Sequence, residues 1–247
     1  MFMMNTDSHL FFNKPSYDLL PLYEGKMFFV YDHRYGFYTD EMLNSDQVDF
    51  KIIPTPNIEN LQNPNFKVNP RYWISNTEVE NRLSNCNWKK DWLLVFRGIT
   101  SSVNERTTIF SLLPKVGVGH SAPLIVLEQN NVDLISCLLA NFSSLLFDFV
   151  TRQKLGGNNF SLFILKQLPI IPPEWYTPKD IEFISSRVLE LVYTAYDMKP
   201  FAQDMGYDGE PFIWDENRRA ILRAELDAKY AKLYGLTRDE LRYILDP

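Results

Sequence analysis

Histidine and cysteine are scarce in this chain, with three of the first and two of the second in 247 residues. His9, His33 and His120 are dispersed, and neither Cys86 nor Cys137 has a ligand-type neighbour at short spacing. A zinc site built on close ligand pairs is therefore not indicated, and no metal is expected. Two isolated cysteines point to a reducing, cytoplasmic setting rather than a disulfide framework. Long apolar runs are also missing. The most apolar segment, near 134–150, is interrupted by Asn, Ser and Asp, which argues against a spanning helix. The opening MFMMNTDSHLFF has neither the basic start nor the apolar centre of a signal peptide. No GxSxG or P-loop is present. Gly117 and Gly119 lack the third glycine and the strand–turn–helix setting of a dinucleotide site, so no cofactor is expected. Internal repeats and low-complexity tracts are absent as well.

Aromatics, by contrast, are abundant. Phe, Tyr and Trp make up 15% of the chain, with 18 Phe and 13 Tyr, and 45% of residues are apolar. That composition supports a sizeable core, with ring surface left for a partner face. Net charge is −6, unevenly spread. Residues 66–168 carry 11 basic and 7 acidic side chains, whereas 1–65 carry 4 and 9, and 169–247 carry 10 and 15. A basic middle between acidic flanks suits a protein with one surface turned to a polyanion.

Periodicity and punctuation divide the chain. Residues 1–22 read as an irregular lead, Met27–Tyr31 as a strand, Asp32-His33-Arg34 as a polar turn or edge, and 39–65 as a loop. Thr77 and Glu80 fit a capping box for a short helix over 78–83. Strands are expected at 92–97, 107–113 and 123–127, with a glycine-containing turn at 114–120 between the last two. Leu134, Leu138, Leu139, Phe142, Leu145, Leu146 and Phe149 recur at helical spacing and predict one helix over 133–152, capped by Asn131 or Asp133. Gly156-Gly157 suggests a reversal through positive φ, then a short strand from Phe160 to Leu165. Thr177-Pro178 opens a helix reaching about Met198, Asp215 caps another that Gly235 stops, and Thr237 with Glu240 caps a last short one.

Two kinds of chemistry are weighed on these residues. Asp18 followed by Glu24-Gly25-Lys26 has the letters of a Mg²⁺-dependent nuclease, but the spacer is too short for the usual hairpin, and a solvated strand rim is the simpler reading. Binding is the better prospect. Lys89, Lys90, Arg97, Ser101, Ser102, Asn104, Arg106, Lys115, Arg152, Lys154, Asn158 and Asn159 are the candidate DNA contacts, with Arg71 and Gln153 beside them. Arginine, amide and hydroxyl groups can bond both phosphates and base edges. The competing reading makes the arginines internal ion-pair partners on an ordinary loop.

Several stretches, taken in order, resemble one family. They are YEGKMFFVYDHRYGFY, NPRYW, WLLVFRGITSSVNERTTIFSLLP, RQKLGGNNFSLFILKQLPIIPP and ENRRAILRAELDAKYAKLYGLTRDELRYILDP. Together they look like the C-terminal target-recognition region of type IIG restriction–modification enzymes and related phage-defence methyltransferases, in which an adenine-specific DNA methyltransferase is fused to a recognition domain. The resemblance covers about Leu22 to Pro247. It marks Arg97, Asn104, Glu105, Arg106, Thr107, Lys154, Gly156, Gly157 and Asn159 as belonging to the family-like stretches, without assigning a base contact. The family's Asn-Pro-Pro-Tyr/Phe catalytic motif and its S-adenosylmethionine site are missing, and Asn69-Pro70-Arg71-Tyr72 matches in letters only. The chain is thus expected to be no enzyme itself, either a separate specificity protein or a split or truncated product, with Met1 favouring a genuine reading frame.

The expected architecture is α+β, a mixed recognition domain with a small, mostly antiparallel sheet and packed helices, followed by a helical C-terminal subdomain. Its divisions are a linker and strand segment over 1–65, the recognition domain over 66–176 and the helical part over 177–247. The resemblance implies sequence-specific recognition of double-stranded DNA on behalf of a separate adenine methyltransferase, and of a nuclease where one is present. The alternative is an interaction or inhibitory remnant that binds the methyltransferase but not DNA. Under the recognition reading, exposed aromatics between 11 and 38 mark the seam left by the absent catalytic domain.

Overall fold

A computed structural model describes residues 1–45, 52–128 and 130–245. The N-terminal lead is not irregular. It holds strands β1 (Phe11–Phe12) and β2 (Leu19–Tyr23), and Phe2 bridges to Gly119. Pro21 hid β2 from sequence reading, because proline cannot donate to a ladder. Its antiparallel partner is Trp73, while the pairing on the other edge starts only at Leu22, so no bond is asked of it there.

The expected strand at Met27–Tyr31 is instead a 3₁₀ turn over Gly25–Met27 and a tight turn closed by reciprocal Phe29 and Asp32 backbone bonds of 2.8 and 3.0 Å. Tyr31 sits in that turn at φ 58°. Of the loop expected at 39–65, residues 46–51 lie outside the described residues, and the rest includes helices α1 (Asp40–Leu43) and α2 (Ile58–Gln62). Strand β3 (Tyr72–Ser75) leads straight into α3 (Asn76–Asn85). The helix starts two residues before the expected one, and Glu80 accepts from the Asn76 amide at 3.2 Å instead of closing a box with Thr77.

Strand β4 (Trp92–Phe96) forms where expected, and all five residues are buried, as an unbroken apolar run requires of a central strand. Strand β5 (Phe110–Pro114) begins three residues later than expected. The expected turn at 114–120 contains β6 (Gly117–Val118), and β7 (Leu124–Ile125) follows. β5, β4 and β7 make an antiparallel sheet, and β1, β3, β2 and β6 make a second one in which only the β2–β6 pair is parallel. A Cβ on Gly117 would stand 2.5 Å from the Ile74 side chain, so the close approach of β6 to its sheet needs glycine.

The single helix expected over 133–152 is two: α4 (Val132–Ser143) and α5 (Leu145–Lys154), bent by 56°. Ser144 is the cause. Its backbone is extended, and its hydroxyl donates to the Asn141 carbonyl at 2.8 Å and accepts from the Phe147 amide at 3.2 Å. A serine at such a position offers the backbone an alternative to the helix ladder. The α4–α5 pair covers β5, where the Phe110 ring stacks on Phe142 at 4.4 Å and meets Phe96, Phe147 and Phe160 within 5.6–6.1 Å. No single described helix is long and apolar enough to cross a membrane.

After α5, the glycine pair does not take positive φ, which among described glycines occurs only at Gly206 and Gly235. The expected strand at Phe160–Leu165 is the short helix α6 (Leu162–Leu165). The C-terminal part is helical as expected: α7 (Pro178–Val192), α8 (Lys199–Asp204), α9 (Glu216–Leu233) and α10 (Arg238–Leu245). α7 ends six residues short of the expected Met198. Asp215 caps α9, Gly235 ends it at φ 72°, and Thr237 with Glu240 caps α10. Thr177 and Asp180 form a reciprocal box at the start of α7. Thr177→Ala is expected to lower unfolding stability by about 1 kcal/mol. Urea denaturation checks this, with the midpoint falling and the slope unchanged.

One contiguous core runs from Phe2 to Tyr230, so both sheets and the C-terminal helices share a single apolar interior. The expected polar edge at 32–34 lies inside it. Arg34 is 0% exposed and donates to the carbonyls of Leu61 (2.8 Å), Asn63 (3.1 Å) and Thr194 (3.2 Å). His33 meets Asp197 at 2.8 Å. From α9, Arg219 reaches the Tyr31 carbonyl at 3.1 Å and the Leu191 carbonyl at 2.7 Å, and stacks on Trp214 at 3.6 Å. Burial lowers its pKa to about 10. This polar knot ties the N-terminal turn to the helical part. The expected aromatic seam is mostly absorbed in the same way: Tyr23, Phe28, Tyr31 and Tyr38 are buried, and only Phe12 and Tyr17 of the aromatics over 11–38 are exposed.

Candidate nucleic-acid interface

β4 and β5 divide the expected contacts between two ends of the antiparallel sheet. Lys89 and Lys90 precede β4, and Lys115 follows β5, so these three stand at one end. Arg97, Ser101, Ser102, Asn104 and Arg106 lie in the connection at the other end. Five residues of strand separate the groups by about 17 Å. At the first end, Lys90 pairs with Asp204 at 3.1 Å, and Lys115 with Asp91 at 2.8 Å and Glu80 at 3.6 Å. Hydrogen bonding to Asp91 raises the Lys115 pKa. Lys89 is exposed there. Arg71 lies away from both groups, at the mixed sheet, with its guanidinium 4.9 Å from the Tyr72 ring.

The second end is a built surface. The 97–109 connection closes on itself: Thr100 Oγ1 donates to the Thr107 carbonyl at 2.8 Å and Thr107 Oγ1 to the Ser101 carbonyl at 3.3 Å. Asp148 on α5 pins its base, accepting from the Thr108 amide (2.7 Å) and hydroxyl (2.8 Å) and pairing with Arg106 (3.5 Å) and Arg152 (3.1 Å). Arg106 also donates to the Ser143 carbonyl, an acceptor freed by the helix break. Arg152 donates to the Asn104 and Glu105 carbonyls at 3.0 Å each.

The segment after α5 then runs beside the connection. The Thr100 amide donates to Asn158, the Phe160 amide to Gly98, and Ile99 bridges antiparallel to Asn159. Two stretches 60 residues apart in the chain therefore share one surface. It presents exposed Asn104, Gln153, Lys154, Asn158 and Asn159, with half-buried Ser101, Ser102 and Arg152.

Arg97 is turned away from that surface. Its Nε donates to the Gly25 carbonyl at 2.6 Å and its NH2 group to the Phe28 carbonyl at 2.7 Å, and burial lowers its pKa to about 10. Arg97→Ala is expected to cost about 2–3 kcal/mol, since charged donors to backbone are lost. Thermal unfolding reads that loss, while DNA binding of the folded fraction stays within a factor of two or so, about 0.4 kcal/mol.

Of the nuclease residues, Asp18 and Glu24 stand at opposite ends of β2. Glu24 accepts from the Tyr38 hydroxyl at 2.7 Å and pairs with Lys26 at 3.5 Å. Among the described residues no three His, Cys, Asp or Glu side chains are grouped to hold a metal ion. Sequence reading overlooked the exposed apolar groups beside the surface: Ile99, Val103 (88% exposed), Leu162 and Phe163 (77%). The pattern at Phe160–Leu165 predicts a strand, whereas Phe163 lies on a four-residue helix that leaves it exposed.

The chain is thus an α+β protein of two small sheets, packed helices and a helical C-terminal region. No family model, curated protein or solved structure matches it.

Proposed function

We propose that the chain is a sequence-specific double-stranded DNA recognition module of a restriction–modification or phage-defence system, positioning a separate adenine-N6 methyltransferase. The observation that carries this reading is the juxtaposition of residues 101–106 with 152–159. Two stretches singled out by resemblance, distant in sequence, meet on one amide- and cation-bearing surface. Lys154 and Arg152 supply phosphate contacts, and Asn104, Asn158 and Asn159 carry the paired donor and acceptor that base edges require. The Asp148 anchor holds the connection before DNA arrives, which limits the ordering cost of binding. The partner enzyme, not this chain, flips and methylates the adenine.

Selection of a random duplex library by the purified protein, at several salt concentrations, tests the reading. Enrichment of a short motif, alone or with an adenine methyltransferase partner, is expected; no enrichment under either condition defeats it. The second reading, a remnant that binds the methyltransferase but not DNA, is favoured by the exposed Val103 and Phe163. It predicts tight binding to the enzyme with weak, unselective DNA affinity.

A further inference from the structure

Behind the same connection lies a cavity of about 300 Å³ between the 29–32 turn, the end of α4 and α9. Two of its charged groups, Arg223 and Asp227, keep bonding capacity. The side chain of Arg223, half-buried on α9, makes no hydrogen bond or ion pair among the described residues, and its charge acts on Asp227 one turn further along the helix. Ser143 is 5% exposed, and its hydroxyl meets the Tyr31 phenol across the cavity wall. Tyr31 itself is the residue at positive φ, 58°. Such backbone outliers persist only where the surroundings impose them, and they cluster at ligand sites. Asp227 uses one carboxylate oxygen for the Leu145 amide at 2.7 Å, and its other oxygen has no partner among the described residues. Ala140 and Leu226 complete an apolar wall.

Charge decides the ligand class. Arg106 and Arg223 line the cavity together with Asp227 and Glu105, so the formal charges cancel. A bare phosphate gains little from such a site. A neutral ligand with adjacent acceptors and donors gains most. Guanine has both: O6 and N7 accept from an arginine, while N1–H and the 2-amino group donate to a carboxylate. The volume is at the lower end of cavities that hold small organic ligands.

We propose that this cavity binds a guanine base, with Arg223 donating to its O6/N7 edge and Asp227 accepting from its N1–H edge. The inference stands without the duplex-recognition reading, since library enrichment and occupancy of this cavity are measured separately. Calorimetric titration of the full chain with guanosine, adenosine, inorganic phosphate and a short single strand containing one guanine tests it. Guanosine is expected to bind more tightly than adenosine. Arg223→Gln, which removes the charge and keeps a polar amide, is expected to weaken binding about tenfold or more. Asp227→Asn keeps an acceptor for Leu145 and is expected to abolish the preference for guanosine. Binding of the single strand but not guanosine, lost in Arg223→Gln, supports the same pocket with the base presented by nucleic acid. Binding of phosphate alone, equal binding of adenosine, or no binding of any probe by a folded protein overturns the proposal.

Discussion

Replacing Arg34 with methionine is expected to destabilise the protein by about 3–5 kcal/mol, the cost of breaking a buried charged network from one side. Its guanidinium is 0% exposed and serves carbonyls from α2, the segment after it and the segment after α7. Removal strands those acceptors away from water, and each such group costs about 1–3 kcal/mol when left unpaired. Asp32 stays near, its carboxylate already accepting from the Arg34 amide at 2.8 Å, and loses a neighbouring positive charge. A chain of this size should lose on the order of 10 °C in Tm. Arg34→Lys should recover little, because a single ammonium cannot reach acceptors on three separate segments at once. Thermal unfolding of both variants checks this. Near-native stability for either one would mean that the knot at 32–34 is not what joins the N-terminal turn to the helical part.

Phe110→Ala is expected to cost a similar amount, about 3–5 kcal/mol. The ring is fully buried and contacts four others, from β4, α4, α5 and the segment before α6. Its loss opens a void between sheet and helices that a rigid strand cannot close, since β5 is paired along its whole length with β4. Phe110→Leu keeps most of the volume and should cost much less. The difference between the two variants in chemical denaturation isolates the ring from the strand.

These two positions show how legible the fold was. Local periodicity alone puts Phe110 in a strand and its neighbour Phe142 on an apolar helix face. Caps were legible for the same reason: Asn131, Thr177, Asp215 and Thr237 bond backbone three residues away. Arg34 was not legible. Nothing within a few residues of it announces burial, and its partners lie 27 to 160 residues distant. The run Met27–Tyr31 misled because aromatic and branched residues suit a strand, yet here they line a buried turn whose shape Tyr31 sets. The Ser144 break was hidden by apolar spacing that continues smoothly through both helices.

The candidate surface divides along the same line. The expectation that 101–106 and 152–159 share a surface rests on resemblance. Their contact through Thr100, Asn158 and Phe160 is a tertiary fact. So is the inward turn of Arg97, whose partners Gly25 and Phe28 no spacing rule connects to it. Lys89, Lys90 and Lys115 share the basic character of the middle segment but sit at the far end of the sheet, a separation that only strand order reveals.

The most direct test of the account is the salt dependence of binding to an enriched duplex, compared between the native chain, Lys154→Ala and the Asn158→Ala/Asn159→Ala pair. Lys154→Ala should weaken all duplexes alike and reduce the salt slope by about one. The asparagine pair should leave the slope unchanged and erase discrimination between the enriched and scrambled sequences. Unaltered affinity and discrimination in both variants would contradict the claim that this end of the sheet faces DNA.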